Sequence, residues 1–262
     1  MRRSLSAAVL AFVVLCACSS SSSTPTSADA TSTRAELTVF AASSLTAAFT
    51  QIGTDFEAAN PGTIVTFNFG PSDGLARQIE SEGAADVFAS ASGTWMDDVQ
   101  DKVGVSGRTD FAKNRLIVIT PSDNPANIQS FDDLATPGVQ VVLAAEGVPV
   151  GDYARQALDG AGIAKDVLKN VVSNEADDAS VVAKIIAGEA DAAIVYSSDV
   201  TEQVSPDVQA VEIPDDVNVI ATYPIAVVTG APEPDLGGSF VTFVTSTEGQ
   251  ATLATFGFLP PA

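Results

Sequence analysis

Short apolar runs alternate with amphipathic segments along almost the whole chain beyond residue 35, and this rhythm constrains the fold more than any single motif. LTVFAA at 37–42 has the length and composition of a buried strand. In the run that follows, Leu45, Ala48, Phe49, Ile52 and Phe56 recur at the spacing of one helical face, and Asn60-Pro61-Gly62 ends it. Strands are expected again at 63–69, 85–90, 114–121, 139–145, 191–198 and 221–230. Between them lie helices at 75–82 and 94–102, a short Ser-capped turn at 130–134, helices opening near Gly151 and at Asp178, and the last helices from Ser239 onward. Strands separated by helices of this length predict an α/β protein with mixed, mostly parallel sheets and flanking helices. The two long strands near 114–121 and 221–230 bracket a block of about 100 residues with strands and helices of its own. A chain that leaves one lobe, builds a second and returns makes two lobes joined by two crossover segments. The expected boundaries are 35–115 plus 225–262 for the first lobe and 116–224 for the second, with a ligand in the cleft beyond the carboxyl ends of the strands.

The N-terminal stretch reads as targeting sequence. Met1-Arg2-Arg3 supplies positive charge, and the apolar run at 5–15 is too short for a permanent span. Leu15-Cys16-Ala17-Cys18 has the spacing of a bacterial lipobox, with a small residue before the cysteine. Residues 1–17 are therefore expected to be a signal peptide and Cys18 a lipidation site. Residues 18–34, rich in Ser and Thr, form a flexible tether that holds the folded part near the cell membrane on its extracytoplasmic side. Two acyl chains on one cysteine meet the need for more than one anchoring signal.

Composition removes several kinds of chemistry. There is no His in the chain, and both cysteines sit in the leader. The folded part thus lacks the commonest general base, the commonest metal ligand, a thiolate and a disulfide. Removal of Arg2 and Arg3 lowers the 12 basic residues to 10 against 33 acidic ones, a net of −23. Nucleic acid is a poor partner for such a surface. The adjacent pairs Asp97-Asp98, Asp132-Asp133 and Asp177-Asp178 would be the carboxylates of a hydrolase, but neighbours in a helix do not face each other. They read as solvated faces.

Four strand-to-helix turns stand out: Ala42-Ser43-Ser44-Leu45, Gly70-Pro71-Ser72-Asp73, Val148-Pro149-Val150-Gly151 and Ala176-Asp177-Asp178-Ala179. A helix N-terminus carries unsatisfied N–H groups and partial positive charge, so several of them aimed at one cleft would hold an anion without any Lys or Arg. Ser and Asp at such positions are also ordinary helix caps. Only convergence in space separates the two readings.

Several blocks, in order, resemble the periplasmic molybdate-binding proteins of ABC transporters, in the type II periplasmic-binding-protein superfamily. They are LTVFAASSLTAAF at 37–49, NFGPSDGLARQIESEGAADVFASAS at 68–92, NRLIVITP at 114–121, GVPVGDYARQAL at 147–158, AAIVYSSD at 192–199, YPIAVV at 223–228 and the closing Gly257-Phe258. The resemblance implies the two-lobed periplasmic-binding-protein fold. It also implies a monomeric receptor, not an enzyme, that captures molybdate or tungstate and passes it to an ABC permease. No cofactor and no metal cation are expected. Carried over by position, it implicates Ser44 and Ser72 through hydroxyl and backbone, Val150 and Asp178 through backbone N–H, and Tyr196 through its phenol. Arg77 is read as structural. Sulfate is the alternative ligand within the same class. This chain departs from the family pattern with Asp73 beside Ser72 and with Asp178, since carboxylates next to a dianion repel it unless they point outward or cap their own helix.

Overall fold

The computed structural model describes residues 35–83 and 85–261, so the leader, Cys18 and the tether lie outside the described residues. The order is β1 (Ala35–Ala42), α1 (Thr46–Ala59), β2 (Thr63–Gly70), α2 (Ser72–Glu82), β3 (Val87–Ala89), α3 (Gly93–Lys102) and the long β4 (Val105–Pro121). Then come β5 (Val141–Ala144), α4 (Pro149–Gly160), α5 (Ala164–Asn170), β6 (Val171–Glu175), α6 (Asp178–Ile186), β7 (Ala192–Tyr196) and β8 (Val208–Glu212). β9 (Ile220–Val228), α7 (Pro234–Thr245) and α8 (Thr247–Thr255) complete the chain.

The strands run in the order β2-β1-β3-β9-β4-β7-β5-β6, with β8 also on β4. At one end β1 is parallel to β2 and β3; at the other β5 is parallel to β6 and β7. The junction between these groups is antiparallel. β4 pairs with β9 from Val105↔Val228 to Arg115↔Ile220, then from Leu116 onward with β7 and from Ile117 with β8. One strand therefore serves both halves of a mixed, two-domain α/β fold. Its first half reads as polar, VSGRTDFAK, yet forms strand because β9 supplies its hydrogen bonds, with two register shifts along the way.

The predicted face of α1 is the buried one. Leu45, Ala48, Phe49, Ile52 and Phe56 are each at most 1% exposed. Phe49 and Phe56 meet Phe240 of α7 with ring centroids 6.0 and 5.2 Å apart. Full burial of each such side chain contributes about 1.5–3 kcal/mol, enough to fix where α1 begins relative to the sheet. The periodicity of the sequence does not reveal α5, β6 or β8. Among the described residues no helix is long and apolar enough to cross a membrane.

A candidate anion cavity built from helix starts

The carboxyl ends of β1, β2, β5, β6 and β7 lead to one place. Ser43, Ser44, Ser72, Val150, Asp178 and Tyr196 line a single small cavity, together with Ala91 and Val148. All five residues expected at the site are thus brought together, and all are at least nine-tenths buried. No Lys or Arg among the described residues lines the cavity. Among the described residues no cluster of His, Cys, Asp and Glu is suited to hold a metal ion.

Each donor is set by its own element. Ser72 opens α2, and its hydroxyl oxygen accepts from the Ala91 N–H at 3.0 Å, which leaves its own O–H free to donate inward. Val150 stands in the first turn of α4, which starts at Pro149, where the missing N–H costs nothing. Gly151 lets that helix start sit tight against β5: a Cβ there would lie 2.3 Å from the Ala145 carbonyl oxygen and 2.5 Å from that of Ala144.

Ser44 is oriented through a buried chain that the sequence does not announce. Asn114, wholly buried in β4, donates from Nδ2 to the Ser198 hydroxyl at 2.7 Å and to the Tyr223 hydroxyl at 3.4 Å. The Ser44 and Tyr223 hydroxyls are 2.9 Å apart. With its oxygen accepting from Asn114, Tyr223 donates to Ser44, and Ser44 then turns its own O–H toward the cavity. The one signal for this chain in the sequence is a polar Asn at the head of the apolar run RLIVITP.

The Tyr196 hydroxyl is buried and has no protein partner among the described residues. Burial, with Tyr223, Tyr153 and Asp178 nearby, pushes its ionisation well above the usual phenol range. Burial does the same for Tyr223. Both are neutral donors near neutral pH.

The two departures from the family pattern take different directions. Asp73 does not line the cavity; its Oδ2 pairs with Arg77 Nη1 at 2.6 Å, and its side chain is 14% exposed, so it does not lie free in water either. Arg77 also lies over the Trp95 ring, 5.3 Å from its centroid, in keeping with a structural role. At the start of α6 it is Asp177 that caps, accepting from the Ser180 N–H at 2.7 Å. Asp178 turns inward, 3% exposed, and accepts from the Ser43 hydroxyl and from the Ala179 N–H at 3.0 Å. Burial raises its ionisation to about 6, with Asp177 adding to the rise and the Ser43 bond opposing it. Asp199, whose Oδ2 accepts from the Tyr196 N–H at 2.9 Å, is raised well above the carboxylate range by burial and by Asp178.

A Trp95 Nε1–H to Gly147 carbonyl bond of 2.9 Å ties the α3 side to the turn before α4, beside the cavity. A two-domain α/β protein with a shared long strand and a cavity of buried residues at its helix starts has the architecture of the periplasmic binding proteins. The periplasmic molybdate-binding protein of Azotobacter vinelandii shares this fold with a TM-score of 0.77 at 16% identity, over 86% of this chain and 100% of that one. The profile of bacterial extracellular solute-binding proteins matches residues 37–259, and the chain belongs to that family. Within it, the molybdate-binding protein ModA of Mycobacterium tuberculosis is 41% identical over 226 residues, 86% of this chain and 85% of its own length. ModA of Escherichia coli is 36% identical over 203 residues, 74% of this chain and 78% of its own.

Proposed function

We propose that this protein is the receptor of an ABC importer, capturing molybdate or tungstate between its two lobes and delivering it to the membrane permease. The observation that carries the reading is convergence: Ser44, Ser72, Val150, Asp178 and Tyr196, from five separate strand-to-helix connections or strand ends, line one buried cavity with no cationic side chain among the described residues. Neutral donors and helix starts suit a dianion that must also be released, and they explain how a strongly acidic protein binds an anion. The local field sets affinity, while surface charge beyond about 8–10 Å is screened at physiological salt. The lobes are taken as 35–115 with 225–262, and 116–224. The ModA relatives, named as molybdate-binding proteins, support the choice of anion.

The receptor acts as a monomer held at the extracytoplasmic face of the cell membrane by a lipid on Cys18 and the tether at 18–34. Replacing Cys18 with Ser should release it from membranes, and intact-mass analysis of the native protein should find a lipidated N-terminus; an unmodified one defeats the anchor.

The test of the ligand is a thermal-shift panel of molybdate, tungstate, sulfate, phosphate and chromate. A ligand that binds only the folded state adds about 2.7 kcal/mol of stability at 100 times its dissociation constant. Molybdate and tungstate should raise the melting temperature and sulfate far less. Equal shifts for sulfate and molybdate defeat the assignment.

A further inference from the structure

Asp178 puts a carboxyl where a receptor for dianions gains nothing from negative charge. Its side chain is buried, lines the cavity, and takes up donors the anion would use: the Ser43 hydroxyl and the Ala179 N–H at the start of α6. Among the described residues the groups that face it offer no compensating cation. They are Asp177 on its own helix, Asp199 just beyond β7, the hydroxyls of Tyr196 and Tyr223 from β7 and β9, and Ser43 from the turn after β1. The Tyr196 hydroxyl, unpartnered and buried, lines the same cavity. A carboxylate and a dianion in one small cavity without Lys or Arg would be an uncompensated buried repulsion. Neutralising the carboxyl removes it.

A route for the proton is also present. Ser43, Ser44 and Asp178 line not only the cavity but also an open groove of about 600 Å³ between α1 and α6, which Asp199 lines as well. The Ser43–Asp178 contact therefore lies where the two adjoin. The groove brings the carboxyl pair close to solvent on a side other than the cavity.

Resting on the oxyanion reading above, we propose that Asp178, with Asp199 as its partner, is the proton-accepting group of the binding cavity, and that the protein takes up a proton there as it captures the anion. The proton comes from solvent and bonds to a carboxylate oxygen of Asp178; the anion enters unprotonated, and no other bond is made or broken. As a carboxylic acid Asp178 becomes a donor in a cavity made of donors. Its ionisation, raised by burial to about 6, leaves it mostly charged in the free protein near neutral pH, so the linkage is expressed in that range.

The experiment is titration calorimetry with molybdate on the full folded protein, on Asp178→Asn and on Asp178→Val, from about pH 6 to about pH 8. A free carboxyl half protonated at about pH 6 is about 1% protonated at about pH 8, so wild-type affinity should fall about 50-fold over that interval. Titrations in buffers of different ionisation enthalpy should count about one proton taken up at the upper end. Both variants should bind with a flat profile and take up none. The second variant guards against an effect of the amide or a failure of the first to fold. Wild-type binding that is independent of pH overturns the proton uptake and leaves the receptor reading intact. Variants that keep the wild-type slope remove Asp178 as the titrating group. Absence of molybdate and tungstate binding by wild type throughout the range overturns the receptor reading itself, and the inference with it.

Discussion

Replacing Tyr196 with Phe removes one oxygen from the cavity and should move stability and binding in opposite directions. The side chain is 1% exposed, and its ring packs against Tyr223 with centroids 5.8 Å apart, a contact Phe retains. The hydroxyl has no protein partner among the described residues. A buried polar group left unsatisfied costs about 1–3 kcal/mol, at the low end here because a cavity of this kind admits water. The ligand-free variant should therefore be more stable than wild type by about 1 kcal/mol, read as a higher urea midpoint at unchanged m-value. Against an oxyanion the same hydroxyl makes a hydrogen bond to a charged group, about 1.5–3 kcal/mol. Molybdate affinity by calorimetry should fall about 10- to 150-fold. The two effects together predict that the melting shift produced by ligand shrinks while the ligand-free melting temperature rises. A variant that is less stable without ligand and binds as wild type does would refute the argument, because the hydroxyl would then be satisfied within the fold and would not face the anion.

Ser44→Ala and Ser72→Ala should each weaken molybdate binding by about 1.5–3 kcal/mol and cost folding only about 0.5–2 kcal/mol; unchanged affinity in both, by calorimetry, places the site elsewhere. Asp73→Ser should change affinity less than about fivefold at about 0.15 M salt, since Asp73 pairs with Arg77 outside the cavity; a larger tightening that grows as salt is lowered means its field reaches the ligand. Because the folded protein holds the Asp178 proton more tightly than the unfolded chain does, stability should be greatest below about pH 4 for this group and should decline as pH rises to about 6. The rise from the ordinary carboxylate value to about 6 sets an upper bound of about 3 kcal/mol on that decline, so Asp178→Asn should raise the urea midpoint at neutral pH and leave it unchanged near pH 4; equal midpoints at both remove the burial penalty. Gly151→Ala should cost about 1–3 kcal/mol and weaken binding as well, because the added carbon meets the Ala144 and Ala145 carbonyls and pushes the start of α4 away from the cavity; wild-type stability and affinity in that variant would contradict the close approach.

What was legible in the chain was whatever local periodicity encodes. The buried face of α1 follows from Leu45, Ala48, Phe49, Ile52 and Phe56 alone, because burial and the helical period coincide there. β6 and β8 leave no such signal for the opposite reason: VVSNE and VQAVE are short and largely exposed or half-buried, and they are strands because β5 and β4 supply their partners. Convergence of the four turns follows from the topology, in which parallel strands on either side of the β4–β9 junction deliver their carboxyl ends to one cavity; no turn taken singly reveals it. The direction of Asp178 lay further out of reach. Two adjacent aspartates precede α6 and either side chain is able to cap it. The chain places Asp177 in extended backbone, φ −157° and ψ 170°, where it takes the Ser180 N–H, and the next residue in the helix is thereby turned into the protein. A cap claimed by the first carboxylate leaves the second to the cavity, so the inward carboxyl arises from an ordinary helix start in which two aspartates stand side by side.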